Sequence, residues 1–149
     1  MTTQSAHDVI ELEVRVAAKP ETVFPLISEG AGMARWFGST AEIEPRTGAR
    51  LRVDINGRDI AGGEVVEVVQ NQRIVFTFGW EGDAHPVPVG STRVEISLTP
   101  DGDGTLVRLR HSGLTAEQAA QHKEGWDHYL PRLLDAAEGR DPGKDPWAQ

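Results

Sequence analysis

Residues Thr115–Gly139 read TAEQAAQHKEGWDHYLPRLLDAAEG, and this stretch decides the fold. Thr115 followed by Gln118 is a capping box, in which each side chain satisfies a free backbone N–H at a helix start. Gly139 supplies a stop, and Asp141-Pro142 follows it. Between them His122, Trp126, Tyr129, Leu130, Leu133 and Ala137 recur at helical spacing and share one face. Pro131 lies inside the pattern and cannot donate to the carbonyl of Asp127. A kink or bulge near Asp127–Pro131 is therefore expected, with helix on both sides. Gly125 is expected to let the backbone approach the sheet or a ligand closely.

Upstream the chain is strand-rich. Asp8–Ala17 alternates Ile10, Leu12, Val14 and Val16 against Glu11, Glu13 and Arg15, a strand with one wet face. Pro20 opens a short helix with Val23, Phe24 and Ile27 on one stripe. Gly30 and Gly32 are expected to break it. Met33–Phe37 then reads as a second short helix.

Strands are expected over Ala41–Glu44, Ala49–Ile55, Arg58–Val69, Arg73–Trp80, Thr92–Thr99 and Thr105–His111. Asn56-Gly57 is a hairpin turn, and Asp101-Gly102-Asp103-Gly104 another. Gly62-Gly63 predicts a bulge or bend, which leaves the facing of Glu64 and Glu67 open. Elsewhere apolar and charged residues alternate: Leu51, Val53 and Ile55; Ile74, Phe76, Phe78 and Trp80; Val94, Ile96 and Leu98; Val107 and Leu109. The same parity turns His111 inward. The prediction is an α+β domain over residues 8–139: a curved antiparallel sheet of about seven strands, two short helices after the first strand, and a long C-terminal helix covering the inner face. Residues 1–7 and 140–149 read as tails, and Trp147 either docks or, as chain ends more often do, lies in a frayed end.

The chain has 149 residues, enough for one domain with a sizeable core. A net charge of -8 without a basic cluster argues against nucleic acid. The absence of cysteine excludes disulfides, thiolate metal sites and a cysteine nucleophile. No apolar run reaches bilayer length, and the N-terminus has no signal-peptide pattern, so a cytoplasmic protein without membrane attachment is expected.

Several segments together resemble a known family. They are PETVF (20–24), WFG (36–38), GEVVEV (63–68), IVFTFGWE (74–81), VGSTRV (89–94), LRHSGL (109–114), and His122 with Gly125-Trp126. Their order resembles the START-related, SRPBCC helix-grip fold shared with the birch pollen allergen. More narrowly, it is similar to bacterial relatives of the C-terminal domain of the activator of the heat-shock protein ninety ATPase. Gln70-Asn71-Gln72 stands where that family often has prolines, which changes a turn. The resemblance implies a sheet gripping the last helix with a cavity between them.

The candidate cavity residues are Trp36, Val53, Phe76, Phe78, Trp80, Val94, Ile96, Val107, Leu109, His111, His122, Trp126, Tyr129 and Leu130. Core filling is the plain alternative for each aromatic. For His111 it is a hydrogen bond to backbone or to Ser112, and for His122 a partly exposed surface position. If there is a site, the first half of the last helix is expected to form one wall. The loop Gly82–Gly90 is either a lid or a plain connection.

Neither a metal nor a cofactor is implied. His122 and His128 are split across the helix. A calcium loop starting at Asp101 would end at Ser112, where it needs a bidentate carboxylate. No nucleophile elbow or phosphate loop is present. The expected function is binding or sequestering a small apolar or amphipathic molecule. The alternatives are a polyketide cyclase or aromatase-like enzyme, and a chaperone-associated protein-binding module; no protein partner is otherwise indicated.

Overall fold

The computed structural model describes residues 9–148. The expected tail at 1–7, and Asp8 at the expected start of the first strand, lie outside the described residues. In order the elements are β1 (Ile10–Val16), α1 (Pro20–Ser28), α2 (Gly30–Met33), β2 (Thr40–Glu42), β3 (Arg50–Asp54), β4 (Ile60–Val69), β5 (Arg73–Trp80), β6 (Thr92–Asp101), β7 (Gly104–Ser112) and α3 (Ala116–Ala137), followed by a 3-10 turn over Pro146–Ala148. The seven strands form one antiparallel, curved sheet in the order β1-β7-β6-β5-β4-β3-β2. The last strand in sequence thus sits beside the first.

Both ends of α3 are as read from the sequence. Gln118 N–H donates to Thr115 Oγ1 at 3.2 Å, and Thr115 N–H donates to Gln118 Oε1 at 3.0 Å. Gly139 has φ +83, the left-handed geometry that ends a helix at little cost to glycine. The helix continues through Pro131, which is exposed. Water can reach the carbonyl that Pro131 leaves without an amide partner. Trp126, Tyr129, Leu130, Leu133 and Ala137 are buried against the sheet and α1. Burial of that face, more than helix propensity, holds α3 in place.

Two local expectations need correction. The first short helix does stop here, but the break falls at Glu29, which is extended; Gly30 and Gly32 lie inside α2, which starts at Gly30. At Gly32 a Cβ would fall 2.1 Å from the carbonyl oxygen of Pro25, so the glycine lets α2 fold tightly against α1. The second short helix therefore ends at Met33, and Trp36 and Phe37 follow in a hydrogen-bonded turn.

The irregularity in β4 is at Val65–Glu67, not at Gly62-Gly63. The extra residue there reverses the inside–outside alternation. Glu64 and Glu67 are three apart and would otherwise point to opposite faces; both are exposed. Among the described residues, no helix is long and apolar enough to cross a membrane.

Candidate functional site

A pocket of about 790 Å³ opens where the N-terminal half of α3 leaves the sheet. Gln118, Gln121, His122, Gly125, Trp126 and Tyr129 form its helical wall. Phe78, Trp80 and Phe37 form the floor. The β3–β4 hairpin (Ile55, Asn56, Arg58, Asp59), the β5–β6 loop (Ala84, His85, Pro86) and the chain end (Pro146, Trp147) close the sides.

The predicted site residues divide in two. Phe78, Trp80, His122, Trp126 and Tyr129 line the pocket. Trp36, Val53, Phe76, Val94, Ile96, Val107, Leu109, His111 and Leu130 are buried in the packed core and do not line it. Strand parity identifies the inner face but not the depth at which packing gives way to open space. Trp36, for example, spends its indole N–H on the carbonyl of Leu26, 2.7 Å away.

Behind the floor lies a network of two tryptophans and two histidines. Trp126 Nε1–H donates to His111 Nδ1 at 3.1 Å. His111 Nε2 must then carry the proton, and it donates to Thr92 Oγ1 at 2.8 Å. Thr92 in turn donates to the carbonyl of Phe78 at 2.7 Å. Trp80 Nε1–H donates to His122 Nε2 at 3.0 Å, and His122 Nδ1–H donates to the Gln118 carbonyl at 2.8 Å. The two imidazoles meet edge to face, 5.5 Å between centroids.

Each ring is thereby fixed in one neutral tautomer. A proton on either accepting nitrogen would face an indole N–H. Burial first, and the neighbouring His122 second, hold the His111 pKa at about 3. Burial also lowers that of His122, against the Gln118 hydrogen bond. Thr92 and Trp126, rather than backbone or Ser112, are the partners of His111. His122 is half-buried and borders the pocket.

The loop Gly82–Gly90 is a pinned wall. Trp80 N–H donates to the carbonyl of Val87 at 2.7 Å, and Gln118 Nε2 donates to that of Pro86 at 2.9 Å. His85 lies 4.7 Å from Trp80 between ring centroids. Its Nε2 donates to Asp59 Oδ1 at 2.9 Å. Asn56 Nδ2 donates to the other oxygen of Asp59 at 3.0 Å. These two hydrogen bonds hold the Asp59 pKa below the usual carboxylate range.

The chain end is docked, contrary to the frayed tail expected. Asp145 is buried and accepts from His128 Nε2 and from the Tyr129 hydroxyl, both at 2.8 Å. Burial opposes its charge, but these bonds and the Trp147 N–H outweigh it and lower its pKa. Burial and then the Asp145 bond push the Tyr129 phenol up. Trp147 stacks on His128 at 4.0 Å. Arg132 donates to the carbonyls of Pro142 and Gly143.

Gly125 does not approach the sheet closely. A Cβ there would meet nothing within 4 Å, because the residue borders the pocket. Sequence reading also missed Phe37, although it belongs to the Trp36-Phe37-Gly38 motif. Phe37 packs against Trp126 and Tyr129 at 5.4 and 4.8 Å between centroids. Asp59, His85 and Trp147 gave no signal as site residues, since only the folded chain brings them together. Among the described residues, no group of three His, Cys, Asp or Glu is placed to hold a metal ion.

Residues 17–138 match the family model described as Activator of Hsp90 ATPase homolog 1-like protein. Among solved structures, an AHSA1-like protein from Rhizobium etli is 47% identical with a TM-score of 0.71; the match covers 93% of this chain and 86% of that one. DynU16, a protein of the dynemicin biosynthetic locus, is 28% identical with a TM-score of 0.79, over 94% of this chain and 51% of that one. The chain thus spans about half the length of DynU16. The Aha1 dimer from Colwellia psychrerythraea is 21% identical with a TM-score of 0.74, over 88% of this chain and 96% of that one, a likeness of fold. No curated protein matches the chain.

Proposed function

We propose that this chain, which belongs to the family of Activator of Hsp90 ATPase homolog 1-like proteins within the SRPBCC helix-grip superfamily, binds a small molecule with an apolar body in the pocket beside the first half of α3. One observation carries this reading. The pocket has ligand-sized volume, and the polar hydrogens of the aromatic residues in its floor and helical wall are already spent inside the protein. Such a floor makes no demand for a polar ligand group and is complementary to hydrocarbon or aromatic surface. The rim, with Asn56, Asp59, Gln121 and Glu124, suits an amphipathic molecule whose head stays wet.

The test is a thermal-shift screen with neutral apolar and aromatic molecules. Binding to the folded state alone raises the melting temperature by mass action. If no such molecule raises it at its solubility limit, sequestration is the wrong reading.

An enzyme of the polyketide cyclase sort is the second reading, and His85 is the observation that favours it. His111 and His122 have both ring nitrogens engaged, which leaves neither free for acid–base work. His85 lines the pocket, is oriented by Asp59 through Nε2, and turns no other nitrogen to a protein partner among the described residues. The place of DynU16 in the dynemicin biosynthetic locus is compatible with either reading. Conversion of a poly-β-ketone, lost in His85→Asn, would decide for the enzyme. A chaperone-associated module draws less support. Val89 and Trp147 are the exposed large hydrophobic residues among those described, and two residues fall short of a patch of several hundred Å².

A further inference from the structure

The pocket has a charge as well as a shape. We infer that it selects ligands by charge, taking an apolar or aromatic body that carries a protonated amine and rejecting the carboxylate of the same shape. This inference rests on the pocket being a ligand site, as proposed above.

The floor supplies the first half of the argument. An anionic head needs donors, and the donors nearest the floor are spent. The indole N–H of Trp80 goes to His122, that of Trp126 to His111, and the Tyr129 hydroxyl to Asp145. The start of α3 also borders the pocket, where free N–H groups would attract an anion. There the capping box engages Thr115 N–H and Gln118 N–H, and the carboxylate of Glu117 stands in the same first turn, where it offsets the amides that stay open. What remains at the floor is ring carbon, including that of Trp80, a surface that attracts cations through its π-electrons.

The mouth supplies the second half. Its carboxylates are Asp59, Glu117 and Glu124, against one guanidinium, Arg58. Asp59 is already occupied by Asn56 and His85. Glu117 and Glu124 are exposed on the pocket flank of α3, seven residues and so about two turns apart. Lys123, beside Glu124 in sequence, pairs instead with Asp127 at 2.8 Å on the other side. The net charge of -8 places the whole molecule in the same sense. A protonated amine leaving the aromatic floor therefore meets carboxylates, and a carboxylate meets repulsion.

Calorimetric titration of the full chain at neutral pH with three molecules of one shape tests this: 1-naphthylmethylamine, 1-naphthylmethanol and 1-naphthoic acid. The amine is expected to bind roughly tenfold more tightly than the acid, with the alcohol between them. In the Glu117→Gln/Glu124→Gln double variant the gap should shrink to about threefold or less. Raised salt should narrow the wild-type gap, since the mouth is solvent-exposed. An acid that binds as tightly as the amine, or a gap unaltered in the double variant, overturns the charge inference while binding of the alcohol keeps the pocket itself. If the alcohol also fails to bind, the pocket is not a site for such molecules, and both readings fall.

Discussion

Trp126 on α3 donates its indole N–H to Nδ1 of His111 on β7, 3.1 Å away, and both residues are buried. The bond joins the gripped helix to β7, the strand that pairs between β1 and β6. A second bond runs the opposite way, from Trp80 on β5 to His122 on α3. Helix and sheet each give one indole donor and one imidazole acceptor. This exchange fixes α3 against the sheet at the point where the packed core ends and the pocket begins.

Trp126→Phe keeps the aromatic ring and removes the donor. His111 Nδ1 would then be a buried acceptor without a partner, and the variant should lose about 1–3 kcal/mol of stability in urea unfolding. The His111 pKa, followed by NMR, should rise, because Nδ1 no longer faces an N–H. An unchanged pKa would mean that burial and the neighbouring His122 set it without the indole.

Acid should weaken the fold through the same histidine. His111 titrates at about 3 in the folded protein against 6.5 ordinarily. Between those values the unfolded chain binds a proton that the folded chain refuses. Stability from His111 is therefore complete above about pH 6.5 and falls as the pH drops toward 3, by at most roughly 1.4 kcal/mol per pH unit. His122, also shifted down, acts in the same direction. His111→Gln should be less stable at neutral pH, yet show a shallower loss between pH 6.5 and 5 in urea midpoints.

Gly125→Ala should stabilise the protein. The residue lies inside α3, and a Cβ there meets nothing within 4 Å. The helix-propensity gain is about 1 kcal/mol, readable as a higher melting temperature. A destabilised variant would show that the backbone at this position is packed more closely than the geometry indicates.

Asp145→Ala should release the chain end. It leaves the Tyr129 hydroxyl and His128 Nε2 without their acceptor, at about 2 kcal/mol. Amide exchange over residues 141–148 should accelerate while α3 remains protected. Trp147→Ala, which removes a half-exposed ring, should cost less.

Much of this architecture was legible because it is local. The capping box, the apolar face of α3 and the alternation in β3, β6 and β7 depend on neighbours a few residues away. The parity that turned His111 inward is of the same kind. What stayed hidden depends on distant segments. No spacing rule places His122 beside His111, because their contact needs the crossing of α3 over β7. Asp145 gave no sign of burial, since its partners lie sixteen and seventeen residues upstream. The bulge at Val65–Glu67 carries no glycine, while the register through the Gly62-Gly63 pair that suggested one is regular, with Gly62 opposite Gly79 and Val65 opposite Phe76. The pocket draws on α3, two loops and the chain end together, so parity could name its floor but not its rim.

The most direct measurement is a fluorescence titration with the neutral hydrophobic probe N-phenyl-1-naphthylamine on the wild type and Gly125→Leu. The leucine would enter the open space beside Gly125 and occupy the pocket without disturbing the core. Saturable binding to the wild type, abolished in a Gly125→Leu variant that still unfolds cooperatively, is the predicted result. No saturable binding to the wild type, or equal binding to the two proteins, would contradict a ligand site between α3 and the sheet.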